Sequence, residues 1–313
     1  MSAALEVRGL WKRYGSMAAV RDVSLTVERG QIYGLLGPNG SGKTTTLSCA
    51  LGLLPPTSGQ CNVLGVPAKK LHRTKGKVGC VFDVPALLRG HTIRQNLQYQ
   101  ARLRGHGGGR NLADALKRVG LAGFEKRRAG GLSLGQEKRL AIAGAIMGQP
   151  ELVVLDEPLS GLDPMGVRGM LTLLEELKAD GQTLIVSSHR LHEMQEILTH
   201  AGVILDGEVI REAPLDDYLG KPGTWQVKVR DLQAAEHALA GLGSVTRSPD
   251  GGATIDAPGI PGEQLSRALA EGGAGLLFFS EARLGLQASF EMLVDERRRA
   301  GSPSEAAQNG GAA

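Results

Sequence analysis

Short apolar segments alternate with longer amphipathic segments over the first 220 residues of the chain. The apolar segments have the length of strands, and the run LVVL at 152–155 is typical of a strand buried on both faces. Strands that alternate with helices predict an α/β fold with a mostly parallel sheet covered on both sides. The predicted strands are Leu5–Gly9, Val20–Val27, Gln31–Leu36, Val78–Phe82, Leu152–Leu155, Thr183–Ser187 and Ala201–Leu205. The predicted helices cover residues 43–53, 93–148 with a glycine-rich turn at 105–109, and 171–179.

The pattern restarts beyond the break at 220–223, where Gly, Lys, Pro and Gly follow one another. Predicted elements over residues 225–280 have the order βαββαβ, which is the split-βαβ plan of a small α+β domain. A last helix is predicted from about Gln287 to Arg299, and the ending GSPSEAAQNGGAA has almost no large apolar side chain. We therefore predict a larger domain over 1–220, an α+β accessory domain over 221–299 and a disordered tail over 300–313.

Composition places the chain among soluble globular proteins. It has 313 residues, of which 42% are hydrophobic and 22% charged. We see neither an apolar stretch long enough for a membrane span nor a signal peptide. Three scattered cysteines argue against a disulfide framework and favour the cytosol. Basic runs at 69–77 and 117–128 could face lipid or nucleic acid, but they are short and lack interleaved aromatic residues, which favours a solvated surface.

A phosphate-binding motif follows the third predicted strand. The segment GPNGSGKT at 37–44 fits GxxxxGK[ST], and a helix is predicted to start directly after it. Its glycines allow successive N–H groups to point inward, Lys43 can reach phosphates, and the Thr44 hydroxyl can ligate Mg²⁺. The motif predicts a nucleoside triphosphate with Mg²⁺. The predicted binding residues are Gly37, Pro38, Asn39, Gly40, Ser41, Gly42, Lys43, Thr44 and Thr45.

Two acids, Asp156 and Glu157, come directly after the buried strand LVVL. Parallel strands deliver their carboxyl ends to one edge of a sheet, so both acids should lie beside the phosphate loop. Asp156 is then placed to hold Mg²⁺, and Glu157 to accept a proton from the water that attacks the γ-phosphate. A turn that caps the next helix is the alternative interpretation.

Further motifs resemble those of the ATP-binding subunits of ABC transporters. The segment LSLGQ at 132–136 resembles the signature LSGGQ, and SGLD at 160–163 resembles the D-loop. His189, which follows the strand TLIVS and Ser188, resembles the switch histidine, and Tyr14 resembles the aromatic residue that stacks on adenine. The resemblance covers residues 3–215. It implies a P-loop NTPase of the ABC type, with an antiparallel β subdomain and a helical subdomain at about 84–148 besides the parallel core.

The resemblance also implies roles for these residues and a second subunit. Ser133, Gly135 and Gln136 would cover the ATP of a second subunit, which is either identical or related, and Asp163 of the D-loop is included with them among the nucleotide-binding residues. His189 would sense the γ-phosphate and act with Glu157 in catalysis. ATP and Mg²⁺ are the implied cofactors.

Two positions depart from the family pattern. Leu134 stands in the signature where glycine is usual, although Ser133 and Gly135 are kept. Asp83, after the strand VGCVF, stands where the family has a glutamine that reaches Mg²⁺. Asp83 could ligate the metal more strongly, repel the γ-phosphate, or bind through water. We include it among the predicted metal ligands, with Thr44 and Asp156, and among the nucleotide-binding residues.

The resulting hypothesis is an ATPase subunit of an ABC exporter at the cytoplasmic face of the membrane, with separate permease subunits as partners and no nucleic acid. The segment LGLQASFEMLVDER near the end is weakly similar to subunits of drug, antibiotic and polysaccharide exporters. One alternative is a soluble ABC-type ATPase that acts on the ribosome or on DNA. Another is a regulatory subunit whose coupling is weakened by Asp83.

Overall fold

The computed structural model describes residues 3–103, 112–219, 223–247, 252–281 and 285–301. The chain divides into two compact units, Met1–Ala213 and Pro214–Ala313. The glycine-rich turn at 105–109, the break at 220–222 and the tail beyond 301 lie outside the described residues. The predicted limits of the accessory domain and of the tail stay predictions.

The ten strands described between Ala3 and Pro214 form two sheets. One sheet is antiparallel at the pairings β1–β2, β1–β4 and β4–β5, and its order is β2-β1-β4-β5. The other has the order β10-β9-β3-β8-β7-β6, with β9, β3, β8, β7 and β6 paired in parallel. These strands are β1 (Ala3–Tyr14), β2 (Met17–Glu28), β3 (Ile32–Leu36), β4 (Ser58–Val63), β5 (Val66–Pro67), β6 (Val78–Val81), β7 (Leu152–Asp156), β8 (Thr183–Ser188), β9 (His200–Leu205) and β10 (Glu208–Pro214).

Helices of this unit pack on the sheets and connect their strands. The helix that follows β3 contacts β1, β2 and β4 of one sheet and β7 of the other, so it lies between the two sheets. The helices are α1 (Lys43–Ala50), α2 (Ile93–Leu103), α3 (Leu112–Arg118), α4 (Leu134–Ile146), α5 (Pro164–Ala179) and α6 (Leu191–Met194), with 3₁₀ turns at Ala68–Thr74 and Ala129–Gly131. Within the described residues, no helix is long and apolar enough to cross a bilayer.

The parallel sheet positions the site. All residues of β3 and β7 are buried, which agrees with the apolar runs IYGLL and LVVL that they contain. Because β3, β6, β7 and β8 run in parallel, the residues that follow each of them meet at the same edge. The core between the sheets includes Val7, Leu10, Leu25, Leu35, Leu47, Val154 and Ile185.

The second unit contains the predicted order βαββαβ, followed by a helix. Its sheet has the order β12-β13-β11-β14 and is antiparallel at every pairing. Small and aliphatic side chains form its core, among them Val227, Ala235, Leu239, Ile255, Leu265 and Leu269. The elements are α7 (Asp216–Leu219), β11 (Thr224–Val229), α8 (Leu232–Ala238), β12 (Ser244–Arg247), β13 (Ala253–Asp256), α9 (Gly262–Glu271), β14 (Leu276–Glu281) and α10 (Leu286–Gly301).

Some predicted boundaries were wrong. Helix α1 ends at Ala50 rather than near Leu53, because Gly52 takes a φ of +68° that ends the helical path. Helix α5 begins at Pro164 rather than at Leu171, since Asp163 caps it and proline suits the first helical position.

Candidate nucleotide-binding and catalytic site

The loop between β3 and α1 has the close packing that its glycines permit. Gly42 caps α1 with a φ of +103°, and a Cβ there would lie 2.6 Å from the carbonyl oxygen of Ala19. A Cβ on Gly37 would lie 2.2 Å from the carbonyl oxygen of Ile204. Only glycine fits at Gly37 and at Gly42, because a Cβ at either position would lie far inside van der Waals distance of a carbonyl oxygen. The loop therefore delivers the start of α1, with its free N–H groups, to the edge of the sheet.

Exposure divides the loop into an open tip and a buried base. Pro38, Asn39 and Gly40 are exposed, whereas Ser41 is buried and Thr45 is half-buried. The Ser41 hydroxyl has no hydrogen-bond partner among the described residues. A buried hydroxyl without a protein partner fits a loop that binds oxygen-rich groups such as phosphates.

Lys43 is buried inside this loop. Its Nζ donates to the carbonyl oxygens of Gly37 at 2.8 Å and Pro38 at 3.1 Å, and lies 3.1 Å from Oε1 of Glu157. Its side chain is 5% exposed. Three oxygen atoms thus hold the ammonium group at the loop, where it can act as a point charge for phosphate.

Asp156 receives hydrogen bonds on both carboxylate oxygens. The Thr44 hydroxyl donates to Oδ2 at 2.7 Å, and the Ser187 hydroxyl donates to Oδ1 at 2.5 Å. A hydroxyl and a carboxylate in contact are hard oxygen ligands of the kind Mg²⁺ prefers. No cluster of three or more His, Cys, Asp or Glu suited to a metal occurs in the described parts of the chain. The pair therefore suits an ion that takes its other ligands from substrate phosphates.

Glu157 has a constrained backbone and a carboxylate between two basic groups. Its φ is +48°, which is unusual outside glycine. Oε2 lies 2.8 Å from Nδ1 of His189, while Oε1 forms the ion pair with Lys43. Glu157 is 8% exposed, and His189 is partly accessible. A carboxylate in this position can take a proton from water, and the His189 imidazole can keep that carboxylate oriented.

The signature segment starts a helix. Ser133 caps α4 by accepting from the N–H of Gln136 at 3.4 Å, and the Gln136 side chain accepts from the N–H of Ser133 at 3.1 Å. This capping box leaves the helix start exposed at Leu134, which is 46% exposed. A Cβ on Gly135 would lie 3.2 Å from Leu162, so the signature packs beside the 160–163 segment.

Two other predicted residues lie at the surface of this unit. Asp163 caps α5 by accepting from the N–H of Gly166 at 2.7 Å. Tyr14 ends β1, is 48% exposed, and has the Lys12 ammonium 5.0 Å from its ring centroid. An exposed ring is free to stack on a base, but its contact with adenine stays a prediction.

Asp83 lies just beyond β6 and pairs with a lysine. The Nζ of Lys138, in α4, is 3.0 Å from Oδ1 of Asp83 and 2.7 Å from the carbonyl oxygen of Glu157. Asp83 is half-exposed. Its predicted contacts with Mg²⁺ and nucleotide stay predictions.

Comparisons with known proteins agree with this geometry. A family model described as ABC transporter matches residues 20–160. The bacitracin transport ATP-binding protein BcrA of Bacillus licheniformis is 38% identical over 218 residues, which are 69% of this chain and 71% of that protein. The chain belongs to the ABC transporter family. The lantibiotic transport ATP-binding protein SrtF of Streptococcus pyogenes is 32% identical over 68% of this chain and 91% of its own length.

Solved structures of ABC cassettes share the fold. A dimeric ATP-binding cassette in a post-hydrolysis state with ADP and Pi is 27% identical, with a TM-score of 0.61 over 67% of this chain and 98% of that one. The structure of cbiO1 from Clostridium perfringens is 28% identical, with a TM-score of 0.61 over 69% of this chain and 90% of that one. The predicted family, the P-loop ABC ATPase fold and the ATPase activity are confirmed. The transport proteins among these relatives favour the transporter hypothesis over action on ribosomes or DNA.

Sequence reasoning missed Ser187 and Lys138 in this ABC ATPase. Ser187 is the last residue of a predicted strand, and β7 pairs it directly with Asp156. Recognising β7 and β8 as neighbours could have found it. Lys138 is buried although it stands between Glu137 and Arg139 in the polar start of α4, so no signal for its burial was visible in local sequence.

Proposed function

We propose that this chain hydrolyses ATP through Lys43, Thr44, Asp156, Glu157 and His189, and that hydrolysis drives export through separate permease subunits. The proposal rests on one observation, which is that two neighbouring residues of the phosphate loop contact the two acids. Lys43 pairs with Glu157, and Thr44 donates to Asp156. Lys43 would bind phosphate oxygens, while Thr44 and Asp156 would hold Mg²⁺. When bound, that ion would neutralise charge on the phosphates.

Glu157 would act as the general base. Its carboxylate would take the proton from the attacking water, and His189, 2.8 Å away, would keep the carboxylate oriented. The bond to His189 and the ion pair with Lys43 restrict the rotation of this side chain. Little reorganisation would then be needed when the water attacks.

A second ATPase subunit would complete each site. The exposed start of α4 carries Ser133, Gly135 and Gln136, and helix starts attract anions such as a γ-phosphate. Asp163 would lie at the same interface. The relative solved as a dimer with ADP and Pi supports this arrangement.

The permease would dock on an apolar groove in the helical part of the first unit. The groove has a volume of about 560 Å³ and includes Leu88, Tyr99 and Leu103, all well exposed. An apolar helix from a membrane subunit is the kind of partner that fills such a groove. This partner would hold the chain at the cytoplasmic face of the membrane, and co-purification from membranes tests it.

The names of the relatives suggest the substrate class. Proteins named for bacitracin transport, lantibiotic transport and linearmycin resistance all align with this chain. We therefore propose export of an antibiotic or antimicrobial peptide.

Glu157→Gln tests the catalytic proposal. Loss of a general base should slow hydrolysis by about 10²–10⁴-fold while ATP still binds. In Mg-ATP the variant should also accumulate as a dimer in sedimentation experiments, because bound ATP persists. Glu151→Gln is the matched control and should keep its turnover, because Glu151 lies directly before β7 whereas Glu157 lies directly after it. Near-normal hydrolysis in Glu157→Gln would remove Glu157 from this role.

A further inference from the structure

Lys138 is a buried lysine to which the proposed mechanism gives no role. Its side chain is 4% exposed, and its ammonium contacts the Asp83 carboxylate and the Glu157 carbonyl oxygen. Burial of an ammonium group is costly unless it is paired and hydrogen-bonded. These two contacts supply that compensation, and they connect three segments that are distant in sequence.

The contact with the Glu157 carbonyl lies at a strained position. A residue other than glycine keeps a φ near +48° only where its surroundings hold it there. On one side of Glu157, its N–H donates to the Ser187 hydroxyl at 2.9 Å. On the other side, Lys138 holds its carbonyl at 2.7 Å. Together these bonds fix the peptide groups that flank the Cα atom, and so the direction in which the carboxylate leaves the backbone.

We propose that Lys138 is a positioning residue for Glu157 and that Asp83 is the counter-ion of Lys138 rather than a ligand of Mg²⁺. The Asp83 carboxylate lies 3.0 Å from an ammonium, so its charge is neutralised where the family has an uncharged glutamine. The acidic residue at 83 and the buried lysine at 138 thus form a matched pair. This inference rests on the proposed role of Glu157.

Two substitutions at Lys138 in the full-length chain separate its two contacts. Lys138→Met keeps the apolar stem and removes every donor, whereas Lys138→Gln keeps an N–H donor for the Glu157 carbonyl, placed one bond nearer the backbone than the lysine ammonium. We expect Lys138→Met to lower kcat by about 10–100-fold, since small misplacement of a catalytic group costs that much. The KM for ATP should change by less than about threefold, because Lys138 does not contact the phosphate loop. Lys138→Gln should recover much of the lost kcat. Lys126→Met, at an exposed lysine, is the control.

Asp83→Asn tests the other half of the pair. The Mg²⁺ concentration for half-maximal hydrolysis should stay within about twofold of the unaltered protein, whereas loss of a metal ligand would raise it about tenfold or more. The double variant Asp83→Asn/Lys138→Met should be no slower than Lys138→Met, because the ion pair that Asp83→Asn breaks is already lost in Lys138→Met.

Three results would overturn the inference. The first is an unchanged kcat in Lys138→Met, and the second is an equal loss of kcat in Lys138→Met and Lys138→Gln. The third is a large rise in the Mg²⁺ concentration that Asp83→Asn needs for half-maximal hydrolysis. Glu157→Gln is measured in parallel. Normal turnover there removes Glu157 from its proposed role, while lost turnover there with normal turnover in Lys138→Met overturns only this inference. If Lys138→Met fails to bind ATP, Lys138→Gln and Asp83→Asn still decide the question.

Discussion

Ser187→Ala should lower the stability of the first unit and raise the Mg²⁺ concentration needed for ATP hydrolysis. The hydroxyl of this fully buried residue donates to Asp156 and accepts from the N–H of Glu157. That N–H keeps a second acceptor in the substituted protein, the Ser187 carbonyl oxygen at 3.2 Å. The cost is therefore set mainly by the lost bond to the Asp156 carboxylate.

The charge on the acceptor sets the size of the loss in stability. A hydrogen bond to a buried charged group contributes about 1.5–3 kcal/mol, so we expect the free energy of unfolding to fall by about 2 kcal/mol. Ser188→Ala is the matched control, because Ser188 is equally buried and its hydroxyl accepts from the neutral N–H of Arg190 at 2.9 Å. Loss of that bond should cost about 1 kcal/mol.

Urea denaturation followed by tryptophan fluorescence measures both values. The chain has two tryptophans, Trp11 in the first unit and Trp225 in the second. In a Trp225→Phe background, Trp11 fluorescence reports unfolding of the first unit alone. A shared background also makes the two serine variants directly comparable.

Hydrolysis as a function of Mg²⁺ gives the second readout. Residues that orient a metal ligand affect metal affinity by about 10–100-fold, so Ser187→Ala should raise the Mg²⁺ concentration for half-maximal hydrolysis by about tenfold. Ser188→Ala should leave it nearly unchanged. The reasoning is refuted if the two variants have the same Mg²⁺ requirement, or if Ser187→Ala is no less stable than Ser188→Ala.

Two further predictions follow from perturbed pKa values. Hydrogen bonds from Lys77 and Arg29 lower the pKa of Glu151 below 4.5, so its stabilising contribution is complete above that value and is lost as the pH falls through the lower folded pKa. Glu151→Gln should cost about 1 kcal/mol at pH 7 and flatten the acid side of the stability curve, which denaturation at a series of pH values would check. Burial raises the pKa of Cys61 to about 11, leaving about one thiolate in 1,000 at pH 8. Iodoacetamide should therefore modify half-buried Cys80 well before Cys61 in a mass-spectrometric time course, and simultaneous labelling would contradict this.

Much of the fold was predictable because each of its central strands contains a run of consecutive apolar residues. The segments that became β3, β7 and β8 carry this signal, since burial on both faces requires it. Strands β4 and β10 were missed, because SGQCNV and EVIREAP contain mostly polar or exposed residues. Such strands form where a neighbour offers hydrogen bonds, and that pairing is not visible in local sequence.

The sequence by itself determined the phosphate loop, the two acids and their chain order, because these motifs depend on local spacing and on the strand or helix beside them. Only the tertiary structure decided which side chains support them. Ser187 reaches Asp156 from 31 residues away, and Lys138 reaches Asp83 across 55 residues. Hydrogen bonds form between atoms that folding brings together, and their partners therefore depend on how strands and helices pack rather than on their separation along the chain.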